Sequence, residues 1–256
     1  MSAFMSAFAS LVGSLADLLQ PLFHTASTAA AIVLFTALVR LAVHPLSRAA
    51  ARGQKARTRL QPKIAAVREK HARNPERMRK ALAELHAAEK VSPLSGCLPS
   101  LLQAPAFFLL YHLFSSARIG GEPNALLGHR LFETPLGTRW YDLAGEGGAF
   151  GAQGLVHLAL FVIVAAVATF SYGHTKRQMA AHPMTPATGP DGRPVPGMDA
   201  ITGLMPLMSF MTLFTVAFVP LAAALYVVTS TTWTAIERAC LYRDLTAPGT
   251  PVTAAV

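Results

Sequence analysis

The chain has 256 residues, of which 52% are hydrophobic and only 14% are charged, and its formal net charge is +9. A typical soluble domain has about 25% charged residues, so this composition excludes an ordinary soluble protein and indicates several membrane-spanning helices. The two cysteines provide no disulfide framework, which excludes a disulfide-rich extracellular domain.

Four windows of the sequence are long and nearly free of charge, as crossing a hydrocarbon core of roughly 30 Å with about 20 helical residues requires. They are residues 18–47, 91–117, 147–175 and 200–236. The last window is too long for one crossing and slightly short for two, and Pro220 lies near its middle. We therefore predict a tight hairpin of two spans there and five spans in total. Four spans with a re-entrant segment are the alternative.

The first 27 residues form a predicted extracytoplasmic segment. Its large apolar residues recur at helical spacing, at Phe4, Phe8, Leu11, Leu15 and Leu18. They are not preceded by the basic residues of a signal peptide, so we expect the segment to be retained as an amphipathic helix on the outer membrane surface. A frayed N-terminal tail is the alternative.

Arg40 is the only formally charged residue between Leu18 and Ser47. A charge near the bilayer centre costs about 2.5 to 3.5 kcal/mol or more, so it normally faces protein or a water-filled cavity. Thr36 and His44 lie one helical turn before and after it, which predicts a polar stripe along one face of the first span. Snorkelling of the long side chain to the inner head groups is the alternative.

Residues 47–90 contain thirteen Lys and Arg but only four acidic residues, whereas the first 39 residues contain no Lys or Arg. The positive-inside rule therefore predicts that this segment is cytoplasmic, that the N-terminus lies outside and that the C-terminus lies inside. Asn74 and Pro75 have the pattern of a helix cap and a first helical position. The flanking apolar residues predict an antiparallel helical hairpin with a kink at Pro62. These apolar residues are Leu60, Ile64, Val67, Met78, Leu82 and Leu85.

Two other spans contain polar residues that could share a cavity with Arg40. Gln103 lies in the second span, and the fifth contains the run TSTTWT at residues 229–234, which includes Thr229 and Trp233. Hydroxyl groups in such a run can instead bond to their own helix. Polar faces on three spans favour a hydrophilic groove open to the cytoplasm, with Arg40 as its fixed charge and no acid in the spans to neutralise it. Such a charge attracts anionic groups.

The sequence contains no recognisable catalytic constellation. It has no phosphate-binding glycine loop and no metalloprotease motif, and its nine histidines are scattered without metal-ligand spacing. We therefore expect a protein that is not an enzyme and that has no cofactor and no bound metal.

Several motifs occur in a fixed order along the chain. They are VRLAVHPL from Val39, LQPKIAAVREKH from Leu60, NPERMRKALAELHAAEKVSPLSGCLPSLLQAPAFFLLYHLF from Asn74, and VPLAAALYVVTS from Val219. Together they resemble the YidC-type membrane protein insertases, the bacterial relatives of the organellar Oxa and Alb insertases. The resemblance is strong over residues 36–114 and moderate over the last two spans.

The resemblance implies an all-α integral membrane protein whose five transmembrane helices form a hydrophilic groove open to the cytoplasm, beside a cytoplasmic antiparallel helical hairpin. It implies an insertase and chaperone that receives nascent polypeptides in the positively charged groove and releases their apolar segments laterally into the bilayer. The family's groove residues correspond to Arg40, Thr36, Gln103 and Tyr226. Where the family usually has two adjacent aromatic residues, Tyr226 is followed by Val227.

The expected partners are nascent membrane proteins, with the ribosome, the Sec translocon and anionic lipids as further partners. Nothing indicates DNA binding, and we expect a monomer in the bacterial plasma membrane. A small polytopic transporter or channel is the alternative function. It requires a polar pathway at the outer ends of the spans, where the sequence has no polar stripe. A structural scaffold is a third hypothesis.

The predicted organisation follows the chain from outside to inside. Its segments are the N-terminal amphipathic segment 1–27, span 1 at 28–46, the basic hairpin 47–91, span 2 at 92–117, the outside loop 118–151, span 3 at 152–172, the cytoplasmic loop 173–200, span 4 at 201–219, span 5 at 221–241 and the cytoplasmic tail 242–256.

Overall fold

The computed structural model describes residues 2–72, 74–89, 108, 111–119, 121–181 and 203–243, which are mostly helical. The α-helices are α1 Ser2–Phe23, α2 Ser27–Lys70, α3 Pro75–Ala88, α4 Ala125–Gly128, α5 Trp140–Gly145, α6 Ala152–Ala181, α7 Met211–Phe218 and α8 Leu221–Leu241. Short 3-10 helices lie at His24–Ala26 and Met205–Phe210. The strands are β1 Arg118–Ile119, β2 Glu122–Pro123, β3 Arg130–Leu131 and β4 Thr134–Pro135.

The chain divides into two compact units. The first comprises Met1–Val43, Gln103–Ser171 and Ser209–Glu237, and the second comprises His44–Leu102, Tyr172–Met208 and Arg238–Val256. The first unit contains the main hydrophobic core.

The N-terminal segment is the helix α1 and not a frayed tail. Val12 and Ala16, one turn apart, are buried, and the ring of Phe8 packs edge-on against Phe35 of α2 with 5.8 Å between ring centroids. Leucines outside this packed face are exposed, so α1 presents further apolar side chains; they are Leu11, Leu18 and Leu22. Its position on the outer membrane surface stays a prediction.

The predicted first span and the first arm of the basic hairpin are one continuous helix. Helix α2 has 44 residues, or about 66 Å at 1.5 Å per residue, and it runs through Pro45 and Pro62. The helix therefore continues past residue 46, the predicted end of span 1, so the loss of apolar character there does not end the helix.

The predicted cap of the second hairpin helix is confirmed. Asn74 has extended backbone geometry, its side chain accepts a hydrogen bond of 3.0 Å from the Arg77 N–H, and Pro75 is the first residue of α3. An ion pair between Lys63 of α2 and Glu89 joins the two arms. The apolar stripe of α2 lies on the buried side of the first hairpin arm, because Leu60 and Ile64 are buried.

The loop between the second and third predicted spans has more structure than the sequence indicated. Strands β1 and β2 pair antiparallel, with Arg118 opposite Pro123, and β3 and β4 do the same, with Arg130 opposite Pro135. Phe132, in the second turn, has a φ of +53° and an exposed ring. Strands of two residues show no periodicity, which is why the sequence pattern did not predict them.

Two helical stretches of the described residues are long and apolar enough to cross a membrane, namely Ser6–Lys70 and Ala152–Ala180. The second begins where span 3 was predicted, but α6 continues nine residues past residue 172, the predicted end of the span. Most of the second predicted span lies outside the described residues, although residues 111–115 are helical. Residues 182–200 of the predicted cytoplasmic loop also lie outside them.

The predicted break at Pro220 is confirmed, because α7 ends at Phe218 and α8 begins at Leu221. Before the break, the apolar stretch Met205–Phe218 is a 3-10 helix followed by α7 and not one continuous α-helix. At roughly 2.0 Å per residue for 3-10 and 1.5 Å for α geometry, it covers about 24 Å.

The first half of α8 is the centre of the first unit. All of residues 221–228 are buried, so this part of the helix has neighbours on every side. The small side chains of Ala222, Ala223 and Ala224 permit the neighbouring segments to approach α8 closely. Two backbone N–H groups at its start donate to the preceding loop, from Leu221 to the Thr138 carbonyl and from Ala222 to the Leu136 carbonyl, both at 2.9 Å. These bonds satisfy donors that a helix start otherwise leaves unpaired.

Replacing Ala223 by leucine tests this packing. The added alkyl group has no space at a residue that is 0% exposed, so Ala223→Leu is expected to destabilise the fold by about 1–3 kcal/mol. Ala166→Leu, on an exposed position of α6, is the matched control and should change little. The measurement is the thermal unfolding midpoint of the detergent-solubilised full chain. Equal midpoints for the two variants would contradict the dense packing around α8.

Candidate functional site

Arg40 connects α2 to α8. Its side chain is half-buried, and its guanidinium donates a hydrogen bond to the hydroxyl oxygen of Ser230. Ser230 is near the middle of the 21-residue α8 and is itself buried. Because a guanidinium stays charged in proteins, the structure has a permanent positive charge held between two apolar helices.

Three further side chains share the face of α8 that meets Arg40. Tyr226, Ser230, Trp233 and Glu237 are spaced by four, three and four residues, which puts them on one side of a helix. The Tyr226 and Ser230 hydroxyls are hydrogen-bonded to each other. The Tyr226 ring is buried, with its centroid 6.0 Å from that of Phe114.

The expectation that no acid in the spans neutralises Arg40 is wrong. Glu237 lies within the predicted fifth span and is close enough to Arg40 to attract it electrostatically. The uncharged window 200–236 ends one residue before Glu237, whereas the predicted span extends to residue 241 and so includes this carboxylate. Arg40 therefore has a carboxylate on the same face of α8, two turns beyond Ser230.

Thr36 belongs to the buried part of α2. It is one turn before Arg40 on α2, is only 1% exposed, and donates its hydroxyl to the Ile32 carbonyl at 2.7 Å. This bond within its own helix satisfies the hydroxyl in apolar surroundings.

Three threonines of the polar run of α8 bond within the helix. Thr229, Thr231 and Thr234 each donate to the carbonyl four residues earlier, at 2.8, 2.8 and 2.9 Å. Their polarity is thus used mainly within α8, as the simpler interpretation of the run predicted. Ser230 is different because its hydroxyl meets Arg40 from another helix. Trp233 is half-buried.

The structure therefore brings together Arg40 and Tyr226, and it adds Ser230 and Glu237, which were not among the predicted site residues. The sequence feature that could have identified Ser230 and Glu237 is their helical spacing from Tyr226. This spacing becomes informative only once Arg40 is known to face α8. Gln103, the predicted contribution of the second span, lies outside the described residues.

A separate cavity of about 410 Å³ lies between α1 and the β1–α4 segment. Asp17, Thr28, Glu122 and His129 are among its lining residues, and the Thr28 hydroxyl is 2.9 Å from the His129 ring. Arg40 and the α8 face do not line it, so it is not part of the site described above.

Removing the Ser230 hydroxyl should weaken the link between α2 and α8. Hydrogen bonds to charged groups contribute about 1.5–3 kcal/mol when buried, and because Arg40 is half-exposed we expect Ser230→Ala to cost about 1 kcal/mol. Thr234→Ala, which removes a hydroxyl bonded within α8, is the control and should cost less. Chemical unfolding of the two purified variants in the same detergent measures the difference. A larger loss for Thr234→Ala would contradict the role given to Ser230.

Comparison with known proteins identifies the family. The sequence profile of the family described as "60Kd inner membrane protein" matches residues 19–247. Among similar curated proteins are three described as "Membrane protein insertase YidC". That of Polynucleobacter asymbioticus is 39% identical over 101 residues, covering 39% of this chain and 18% of the relative. That of Geobacter sulfurreducens is 36% identical over 108 residues, covering 39% and 20%.

The third relative, from Ralstonia nicotianae, is 42% identical over 93 residues, covering 36% of this chain and 17% of the relative. The matched part of the chain thus spans a fifth or less of the length of these relatives. The family profile, in contrast, covers nearly the whole chain, including α2, α6 and α8. The chain belongs to the 60Kd inner membrane protein family.

Proposed function

We propose that this protein is a membrane protein insertase and chaperone, which receives nascent polypeptides in a positively charged groove and releases their apolar segments laterally into the bilayer. The observation that carries the proposal is the half-buried Arg40 held against the middle of α8 by Ser230. A fixed charge in apolar surroundings attracts an anionic group that arrives from outside. The names of the similar proteins agree with this activity.

We propose a topology of five spans, with the N-terminus outside and the C-terminus in the cytoplasm, and with the segment boundaries predicted from the sequence. The break at Pro220 supports separate fourth and fifth spans. The 21 residues of α8 are about 31 Å long, enough for one crossing. The Met205–Phe218 stretch is shorter, at about 24 Å, and the proposed fourth span extends it to residues 201–219.

The groove is proposed to lie between α2, α8 and the second span. Arg40, Thr229 and Trp233 have partly exposed side chains and would contact substrate. Thr36 and Tyr226 are buried and would form its closed end. Gln103 is proposed as the contribution of the second span. The bond from Arg40 to a buried hydroxyl of α8 favours this arrangement over snorkelling, because a snorkelling side chain extends along its own helix toward the head groups.

The mechanism requires no covalent chemistry, cofactor or ATP. An acidic N-terminal tail of a substrate is drawn toward Arg40, which shortens the apolar distance that the tail must cross. Glu237 competes with the tail for the same guanidinium, so it limits how tightly an acidic segment is held. The apolar segment of the substrate then leaves sideways, and its transfer from water into lipid drives insertion.

The basic hairpin is proposed as the cytoplasmic contact surface. Its α3 arm is a capped helix with no buried side chain among its residues, so its charges are available to partners. Positive helices of this kind bind anionic lipids, and they also bind the phosphates of ribosomal RNA. The Sec translocon is a further proposed partner, and the proposed functional form is a monomer without DNA-binding activity.

Changing the charge of Arg40 tests the groove mechanism. We expect Arg40→Ala to reduce insertion of substrates with acidic tails, and Arg40→Lys to retain most of it, because lysine keeps the charge. Arg48→Ala removes the same charge two turns later on α2, at an exposed position, and is the control. The measurement is protease protection of substrate tails in membranes containing each variant at equal amounts. If Arg40→Ala inserts every substrate at the parent rate, the charge mechanism is wrong.

Depletion tests the activity itself. When the protein is removed from its host membrane, small substrates with one or two spans should fail to insert, and purified protein in liposomes should restore their insertion. A leakage assay with ions and small solutes on the same liposomes distinguishes a channel. Normal insertion after depletion, together with solute flux through the liposomes, would support a transporter instead.

A further inference from the structure

The segment of the outer loop that contains β4 and α5 packs beside α6, not beyond its end. The Thr134 hydroxyl donates to the Gln153 carbonyl at 3.2 Å, at the start of α6. Further along, the Trp140 ring meets Phe161 edge-on, with centroids 5.2 Å apart and planes at 85°. Because Phe161 is nine residues after Ala152, Trp140 reaches about 13–14 Å along α6 from its start.

The depth of this contact depends on which part of α6 spans the membrane. The helix has 30 residues, or about 45 Å, so roughly ten residues exceed one crossing. Its last turns contain the exposed charges Lys176 and Arg177, and Lys176 lies over the Tyr172 ring at 5.9 Å. Charges and a tyrosine at that end are typical of the membrane boundary, so the extra residues belong to the cytoplasmic end. The membrane segment then starts near Ala152.

Aromatic side chains at the same end of the spans face outward. Tyr141 of α5 stacks on Phe218, the last residue of α7, with centroids 5.3 Å apart, and the two are 60% and 53% exposed. Phe150, two residues before α6, is 82% exposed. Their positions at the ends of α6 and α7 make this apolar surface continuous with the spans themselves.

We propose that residues 134–145 form an element embedded in the outer leaflet of the bilayer, with Tyr141, Phe150 and Phe218 in contact with lipid at the interfacial layer and Trp140 directed inward against Phe161. Aromatic side chains with an apolar body are enriched at this level of a membrane. Arg139, the residue before α5, and Asp142 within α5 are exposed, and in this arrangement they reach the head groups. The loop is therefore a lipid-contacting part of the protein and not a connection in the aqueous phase.

This embedding has a structural consequence for α8. The same segment supplies the Leu136 and Thr138 carbonyls that accept the first N–H groups of α8. In the proposed arrangement these bonds lie in the interfacial layer, where competition from water is weaker than at a fully exposed surface. The outer end of α8 is thus closed by an element that lipid holds in place.

Spin labels at four positions test the proposal, which depends on the proposed topology of α6. In full-length protein with both cysteines replaced by serine, single cysteines are introduced by Tyr141→Cys, Phe150→Cys, Glu122→Cys and Val162→Cys. Glu122 is exposed in the β1–β2 hairpin and represents the aqueous control, whereas Val162 is exposed near the middle of the proposed third span. The labelled proteins are placed in liposomes of phosphatidylethanolamine and phosphatidylglycerol, and collision with oxygen and with a water-soluble nickel chelate is measured.

We expect the nickel chelate to collide several-fold less often with labels at 141 and 150 than with the label at 122, and oxygen to collide more often. The label at 162 should be the most deeply placed. If 162 is deep but 141 and 150 match 122, the embedding is wrong while the topology holds. If 162 is also accessible to nickel, the topology fails and this inference fails with it. Dipolar broadening at 141, showing a second copy over this surface, would also overturn it.

Discussion

The complete burial of the first half of α8 is the constraint on which the rest of the first unit depends. A helix surrounded on all sides needs small side chains for close approach and backbone partners for its first N–H groups. The alanines at 222–224 provide the former, and the loop carbonyls of Leu136 and Thr138 provide the latter. Because those carbonyls belong to the folded loop, the packing of the core depends on the loop being folded.

Arg40 is positioned by the second half of the same helix. Beyond residue 228 the α8 face becomes polar and partly exposed, and Ser230, Trp233 and Glu237 follow one another along it. The buried half fixes the position of α8 against α2. The Arg40 guanidinium therefore meets the Ser230 hydroxyl at a defined position along α8. A rigid apolar end and a polar, partly open end on one helix thus form the site at which we propose that an anionic segment is held without being enclosed.

Short sequence motifs predicted the features that depend on interactions between neighbouring residues. Asn74 with Pro75 gave the start of α3, and Pro220 gave the break before α8, because a cap and a proline act on their nearest neighbours. Glu237 was missed although it stands in the sequence, because the uncharged window ends at residue 236 and the predicted span continues past it to residue 241. The continuation of α2 beyond residue 46 was missed because hydropathy reports surroundings and not helix ends.

The sequence by itself determined that this is a membrane protein with a strongly basic segment at residues 47–90 and an isolated arginine in its first apolar window. Those properties depend only on composition and on spacing along the chain. The tertiary structure decided that Arg40 meets Ser230, 190 residues away, and that the loop after β4 packs along α6. Contacts between distant residues depend on how helices pack, and several polar residues of α8 were equally plausible partners until its orientation toward α2 was known.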